Sequence, residues 1–318
     1  EDVDLVIEAT PPVFRTPHYA KIVAAGKHAF LEKPACVDVS QAREMLEISG
    51  KARQKGLSVV CGTQRRYHEG YRDVVRRVQD GEIGDIVSAQ CFWYGPYYVG
   101  QSLRDNLEKR GLIEGLEPFD VEYQIRNWPS FIWTSGDNIV EQHVHNIDVV
   151  LWALGDARMP VDLRGIGGRS TDLPSPKYGD RFSNFAVDYD MGGGLRLASY
   201  CQQDPKCSDS VGERIIGTKG AMITQNYGRV CRMVDLKGGE LYTPRSDIPQ
   251  PLEMEHKFLL DSIRSGRRAN TLDTLVNSTL VAVAGRMSAY SGKKFKYEWF
   301  LKKSGESLVP KNVDLYGR

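Results

Sequence analysis

Short apolar segments alternate with helical patterns from residue 3 to residue 60. The apolar segments VDLVIEA, HAFLE and LSVVCG have the composition of buried strands, and amphipathic stretches lie between them, around residues 18–25 and 40–55. Strands separated by helices form parallel sheets with crossover connections. Such a sheet binds its ligands at the carboxyl ends of the strands, so residues 10–12 and 33–34 are the first places to look for a site.

The rest of the chain follows a different pattern. After residue 68 the sequence predicts a helix, a strand, a long loop rich in Gly, Pro and aromatic residues, and one amphipathic helix ending at Gly155. A series of strands then follows without helices between them, which favours an antiparallel sheet. Two late helices, at 252–265 and 271–290, are expected to pack on the core or back on the first domain.

The predicted fold class is therefore α/β with two domains. Residues 1–68 are expected to form part of a Rossmann-type dinucleotide-binding domain with a parallel sheet. Residues 69–318 are expected to form an α+β domain for substrate binding and oligomerisation, built on a large, mainly antiparallel sheet.

Charge and cysteine content exclude several classes of partner. The 42 Lys and Arg residues nearly balance the 41 Asp and Glu residues, so no long-range field would attract nucleic acid or an anionic membrane. No apolar run is long enough to span a bilayer. The six cysteines are scattered without a CxxC pair, which is typical of reduced thiols and favours a cytoplasmic location. Small-molecule chemistry is expected, without a metal.

Several motifs stand in one order along the chain: ATPP at 9–12, LEKP at 31–34, GTQRR at 62–66, EQHVHNIDVVLWALG at 141–155 and IGTKGA at 216–221. In this order they resemble the Gfo/Idh/MocA family over nearly the whole sequence. The resemblance implies hydride transfer between NAD or NADP and a carbinol carbon of a sugar, cyclitol or related polyol. It also implies a homodimer or homotetramer in which the antiparallel sheet is buried against a second subunit.

The resemblance gives catalytic roles to Lys33, beside the nicotinamide, and to His145, as acid or base on the substrate hydroxyl. Glu141 occupies a position where many relatives carry Asp. Oxidation of an alcohol needs a group that takes the hydroxyl proton, and an imidazole with a pKa of about 6.5 suits neutral pH. On one continuous helix, Glu141, His145 and Asp148 share a stripe, so either carboxylate is expected to orient the imidazole.

The wider predicted site surrounds these residues. Expected cofactor contacts lie at the strand ends: Thr10, Pro11, Pro12, Glu32, Lys33 and Pro34. Expected substrate contacts follow the third strand or lie in and before the catalytic helix: Arg65, Arg66, Tyr67, Arg126, Trp128, Trp133, His143 and Asp148. At least one residue of the group 65–67 is expected to be structural, and core packing explains the two tryptophans as well as pocket lining does.

Alternative interpretations stay open. A metal bound by Glu141, His143 and His145 requires an extended segment, because His143 and His145 diverge by about 200° on a helix. A glycosidase that uses NAD as a transient oxidant at C3 would need the same proton-handling residues. A non-catalytic sugar-binding or regulatory protein is favoured by one feature, the lack of a Gly-rich phosphate loop and of an acidic residue for the adenine ribose. We accordingly expect that two or three βα units are missing at the amino-terminal side. The alternative is that cofactor binding is impaired.

Overall fold

The computed structural model describes residues 2–96, 99–173, 175–244 and 250–316. The first part of the chain forms a parallel sheet in the order β1-β2-β3. Its strands and connecting helices are β1 (Leu5–Glu8), α1 (Pro12–Ala24), β2 (His28–Leu31), α2 (Val39–Gln54) and β3 (Val59–Cys61). β2 and β3 are buried on both faces, as expected for apolar strands in a parallel sheet covered by helices. The predicted alternation of strand and helix is confirmed.

The second sheet contains nine of the described strands, in the order β11-β10-β9-β8-β4-β7-β6-β5-β12. They are β4 (Ile86–Gly95), β5 (Asp162–Gly168), β6 (Asn184–Asp190), β7 (Arg196–Gln203), β8 (Ser210–Gly217), β9 (Gly220–Gln225), β10 (Val230–Asp235), β11 (Glu240–Tyr242) and β12 (Phe295–Lys296). Neighbours are antiparallel except β4 and β7, which run parallel. The large, mainly antiparallel sheet is therefore confirmed, and alternate residues of β4, such as Cys91 and Trp93, face the buried side.

The remaining helices are α3 (Glu69–Gln79), α4 (Val99–Lys109), α5 (Val121–Arg126), α6 (Ile132–Ser135), α7 (Asn138–Glu141), α8 (Val144–Leu154), α9 (Pro251–Arg264), α10 (Leu272–Ser291) and α11 (Tyr297–Lys303). The prediction of a long loop after β4 is wrong, because α4, α5 and α6 occupy much of that segment. These helices bury their own apolar cluster, which includes Leu107, Tyr123 and Phe131. Tertiary packing thus overrides the loop-forming composition of the segment. No helix in the described ranges is both long and apolar enough to cross a membrane.

α10 lies between the two sheets. It packs on α2 of the first part of the chain and on α8 and β5 of the second. Just before it, the backbone of Val59 in β3 accepts a hydrogen bond from Thr271 and donates one to Ala269. The late helices therefore contact both sheets, while the domain boundary at residue 68 stays a prediction.

Candidate active site

The segment predicted as one helix from residue 141 to residue 155 forms two helices. α7 ends at Glu141 and α8 begins at Val144, so Glu141 does not share the stripe of His145 and Asp148. α8 ends before Gly155, which has a φ of 87°, as the sequence predicted. Among the described residues, neither Glu141 nor Asp148 is hydrogen-bonded to the His145 ring. The prediction that a carboxylate on a common helix orients the imidazole is corrected accordingly.

Glu141 instead pairs with Lys33, which follows the carboxyl end of β2. Lys33 Nζ lies 2.8 Å from Glu141 Oε1 and 3.3 Å from Gln142 Oε1, and it also donates to the Glu141 carbonyl oxygen. The two charged side chains are 14% and 10% exposed. Glu141 Oε2 is buried and has no hydrogen-bond partner among the described residues. A lysine from the first sheet and a carboxylate from the second part of the chain therefore meet at one point.

His145 lies near this pair and is almost fully buried. Its ring stacks on Trp93 with a centroid distance of 6.0 Å and an interplanar angle of 21°. Burial holds the pKa of His145 well below its ordinary value of 6.5, and the positive charges of Lys33 and Arg65 lower it further. The imidazole is therefore neutral at pH 7, the form that can accept a proton.

The two arginines after β3 bind different carboxylates. Arg65 is buried, donates to Glu213 Oε1 at 2.6 Å and places its guanidinium carbon 5.7 Å from the centre of the Trp93 ring. Arg66 binds both oxygens of Asp148, at 2.8 and 2.9 Å. Asp148 is thus a partner of Arg66, and these ion pairs favour structural roles for both arginines and for Asp148.

Three other predicted substrate residues lie around α5 and α6. Trp133 is 6% exposed within the apolar cluster of α4 to α6, and its Nε1 donates to Gln124 Oε1 at 2.6 Å. Trp128, five residues earlier, is half-buried in a turn of 3₁₀ helix. Arg126 is exposed and pairs with Glu122 one turn earlier on α5. Of the alternatives left open for the tryptophans, core packing is the one that the surroundings of Trp133 support.

Tyr67 and His143 complete the predicted substrate residues. Tyr67 packs on Phe258 of α9, with ring centroids 5.5 Å apart. His143 is fully buried with its Nε2 2.8 Å from Ser199 Oγ, so a substrate has no access to it in this structure. Within the described ranges, no three His, Cys, Asp or Glu side chains are grouped to hold a metal ion. The metal alternative lacks its geometry, because His143 faces Ser199 and Glu141 faces Lys33.

The carboxyl ends of β1, β2 and β3 lie at the same edge of the parallel sheet. The six predicted cofactor residues stand at this edge: Thr10, Pro11, Glu32 and Lys33 are partly exposed, and Pro12 and Pro34 are buried. Thr10 donates its hydroxyl to the buried Glu8 carboxylate, which also accepts from Arg15 at 2.7 Å. The edge is therefore ordered by a buried ion pair and leaves partly exposed side chains where a parallel sheet binds its ligands.

The sequence reasoning missed Trp93 and Glu213. Alternation along β4 was a usable signal for Trp93, because Ala89, Cys91 and Trp93 all point to the buried side. Glu213 is fully buried and accepts from Arg65, from Tyr71 at 3.0 Å and from Asn146 at 2.7 Å. The hydroxyl of Thr224 in β9 is a fourth donor to this carboxylate. No local pattern predicts a buried carboxylate whose partners come from four other parts of the chain.

Comparison with known proteins places this geometry in context. A family model described as an oxidoreductase family with an NAD-binding Rossmann fold, Gfo/Idh/MocA, matches residues 1–61. The scyllo-inositol 2-dehydrogenase (NAD(+)) of Bacillus subtilis (strain 168) is 25% identical over 224 residues, covering 69% of this chain and 54% of that protein. The inositol 2-dehydrogenase of Rhizobium meliloti (strain 1021) is 28% identical over 242 residues, covering 76% of this chain and 62% of its own. The chain spans little more than half the length of these relatives.

Solved structures share the fold across nearly the whole chain. Myo-inositol 2-dehydrogenase from Lactobacillus plantarum aligns with a TM-score of 0.65 at 18% identity, covering 93% of this chain and 81% of that one. An oxidoreductase domain protein from Kribbella flavida aligns with a TM-score of 0.73 at 16% identity, with the same coverage of 93% and 81%. The family model over residues 1–61, the inositol dehydrogenase relatives and this common fold make the chain similar to the Gfo/Idh/MocA oxidoreductases.

Proposed function

We propose that the chain is an NAD(P)-dependent oxidoreductase that moves hydride to or from a carbinol carbon of a sugar, cyclitol or related polyol. In this proposal Lys33 and His145 handle the hydroxyl proton. The observation that carries it is the meeting of Lys33 with Glu141 at the ligand edge of the parallel sheet, next to a neutral and nearly buried His145. Relatives that are dehydrogenases of inositols make a cyclitol the first substrate to test.

The sheet edge fits the nicotinamide end of such a cofactor. Glu141 Oε2 is buried beside Lys33 and has no partner among the residues that the structure describes, as expected of a group that completes its hydrogen bonds with a ligand. Thr10, Glu32 and Lys33 would border the nicotinamide. A nicotinamide bound there would supply the acceptor or donor for the hydride of the carbinol carbon. We assign no residue to the pyrophosphate or to the adenosine, because no turn after β1, β2 or β3 is Gly-rich, and the choice between NAD and NADP stays open.

The protein's own residues divide the work on the proton. His145 takes the proton from the substrate hydroxyl at a ring nitrogen, and Lys33 Nζ stabilises the negative charge that develops on the oxygen. Glu141 fixes the ammonium group through the 2.8 Å contact. Burial and the nearby cations hold the pKa of His145 low before the reaction. The negative charge that develops on the substrate oxygen then raises the proton affinity of the imidazole as the proton is transferred.

Charge balance in the site favours a neutral substrate. Lys33 is paired with Glu141 and Arg65 with Glu213, so each cation close to His145 already has a carboxylate partner. A substrate carboxylate or phosphate would have to displace one of them. Trp93 is buried against the imidazole and fixes the plane of the His145 ring.

The proposal is tested by scanning cyclitols and sugars with NAD and with NADP while following the absorbance of reduced nicotinamide. We expect turnover by the unaltered chain and a loss of at least a hundredfold in Lys33→Met and in His145→Gln, the size of a general acid–base contribution. Lys55→Met is the control, because Lys55 donates to the carbonyls of Val23 and Ala24 at the C-terminal end of α1, away from the candidate site. Unchanged activity in both site variants would refute the assigned roles.

The same assay separates the alternative functions. Release of nitrophenol from nitrophenyl glycosides without net nicotinamide reduction would favour the glycosidase, since its cofactor is regenerated in each cycle. Saturable binding of a sugar without any turnover would favour the non-catalytic protein.

Oligomerisation is a second part of the proposal. The outer face of the large sheet exposes apolar side chains, among them Ile166, which is 66% exposed. Phe92 of β4 and Tyr200 of β7 lie opposite each other on adjacent strands and are partly exposed on the same face. We expect a homodimer or homotetramer through this face, and Ile166→Lys to shift the mass measured by light scattering toward the monomer.

A further inference from the structure

Three polar side chains lie on one face of the largely buried helix α10 and bind backbone or side-chain groups near the candidate site. Thr279, Arg286 and Tyr290 are spaced at i, i+7 and i+11, which places them on one stripe. We call these three residues the α10 polar stripe. Thr279 and Arg286 are 0% and 2% exposed, so their polar atoms need partners inside the protein.

The α10 polar stripe binds the segment that follows Lys33. Thr279 Oγ1 accepts a hydrogen bond from the backbone N–H of Ala35 at 3.2 Å. Arg286 Nη1 donates to the carbonyl oxygen of Val37 at 2.7 Å. The backbone just after Lys33 is therefore fixed by two residues of the same helix.

The same stripe binds the segment that precedes Glu141. Arg286 Nη1 also donates to the carbonyl of Gly136 at 2.9 Å, and the Tyr290 hydroxyl donates to Asp137 Oδ2 at 2.6 Å. Asp137 has φ 80° and ψ 165°, a conformation that favours glycine. Its carbonyl accepts from the N–H of Glu141 at 2.8 Å. A strained residue held by Tyr290 thus starts the short helix that presents Glu141.

We propose that the α10 polar stripe sets the contact between Lys33 and Glu141, with Arg286 and Tyr290 as positioning residues of the candidate site. A guanidinium has a rigid planar set of donors, so binding two carbonyls at once fixes their separation. Those carbonyls belong to the two segments that carry Lys33 and Glu141. The inference takes its catalytic meaning from the proposed function, but its structural content can be tested without turnover.

The sharpest test removes one hydroxyl. Tyr290→Phe deletes the hydroxyl that donates to Asp137 and keeps the ring, which stacks on Phe182 at 3.8 Å. The hydroxyl also accepts from the Phe182 N–H, which retains its own bond to Asp137 Oδ2 at 3.1 Å. We expect amide hydrogen exchange at Val140 and Glu141 to accelerate about fivefold or more, the effect of losing the hydrogen bond to Asp137. Tyr189→Phe is the matched control, because the buried Tyr189 hydroxyl donates to Val281 on the same helix, away from both segments. Equal exchange at these two amides in both variants would overturn the proposal.

A second test reports on Lys33 itself. Arg286→Lys keeps a charge but cannot reproduce the planar pair of donors, so we expect acylation of Lys33, mapped by mass spectrometry in the folded protein, to become several-fold faster. Arg43→Lys is the control, since Arg43 also binds two carbonyls, those of Leu301 and Ser304, away from the site. Equal labelling in both variants would contradict the proposal, and if Arg286→Lys does not fold, the exchange experiment on Tyr290→Phe decides.

The two proposals fail in different ways. If the unaltered chain turns over no polyol, the proposed function is wrong while the exchange and labelling results still stand. If the chain is active but Tyr290→Phe changes neither local exchange nor kcat, the proposed function survives and the α10 polar stripe is a structural feature only.

Discussion

Lys33 and Glu141, 108 residues apart in sequence, form an ion pair 2.8 Å long that is almost closed to solvent. Lys33 follows the carboxyl end of β2, and Glu141 is the last residue of the short helix α7. The ion pair therefore connects the first part of the chain with the second. It is also the contact on which the proposed chemistry depends.

Breaking this pair from either side should have unequal effects on stability. Lys33→Met leaves a nearly buried carboxylate without its cation, and we expect the free energy of unfolding to fall by about 2–3 kcal/mol. Glu141→Gln should cost about 1 kcal/mol, because an amide oxygen still accepts from the ammonium group. The double variant should lose less than the sum of the two. Urea unfolding of the four proteins measures the coupling, and strictly additive losses would show that the pair contributes little.

Two buried histidines should make the protein sensitive to acid. Burial, with the charge of Arg65, lowers the pKa of His143 to about 3, and the pKa of His145 is also held well below 6.5. As pH falls below 6.5, the unfolded chain binds protons at these positions and the folded chain does not. His143 should therefore remove about 2 kcal/mol of stability between pH 7 and pH 5, and His145 should act in the same direction.

The variant His143→Gln isolates one of these contributions. Its free energy of unfolding should decline by about 2 kcal/mol less than that of the parent protein over the same pH range. The comparison uses the change with pH rather than the absolute stability, so a constant cost of the substitution cancels. Parallel pH profiles for the two proteins would mean that His143 is protonated in the folded state.

Glu255 should show the opposite dependence on pH. Burial, with the charge of Glu32, raises the pKa of Glu255 from 4.5 to about 8. The folded chain then keeps a proton that the unfolded chain releases, so this group's contribution is full below pH 4.5 and is lost as pH rises toward 8. We expect Glu255→Gln to gain about 3 kcal/mol relative to the parent protein between pH 5 and pH 8. The exposed neighbour Glu253→Gln is the control and should show no such gain.

Substitution of Trp133 and Trp128 tests whether these residues pack in the core or bind substrate. Trp133→Phe removes part of a buried ring and its hydrogen bond to Gln124, so we expect a loss of about 1–3 kcal/mol in thermal or chemical unfolding. The half-buried Trp128→Phe should cost less than about 1 kcal/mol. If Trp133→Phe changes KM and leaves the free energy of unfolding unchanged, Trp133 contacts the substrate rather than the core.

The sequence by itself determined the type and order of most elements. Alternation of apolar and amphipathic segments specified the parallel sheet, since strands and helices bury apolar residues at different periods along the chain. The same local logic specified the strands of the large sheet and the end of α8 at Gly155. The family motifs, read together, pointed to Lys33, Glu141 and His145 before any contact between them was known.

Only the tertiary structure decided which of these residues face one another. Because the helix is broken between α7 and α8, Glu141 faces Lys33 instead of His145. The carboxylate of Asp148 binds Arg66. The partners of the α10 polar stripe could not be predicted from the sequence, because the segments that Thr279, Arg286 and Tyr290 bind are more than 140 residues away along the chain. Ion pairs and buried hydrogen bonds join groups that are distant in sequence, so their partners are fixed by how the sheets and helices pack rather than by any local pattern.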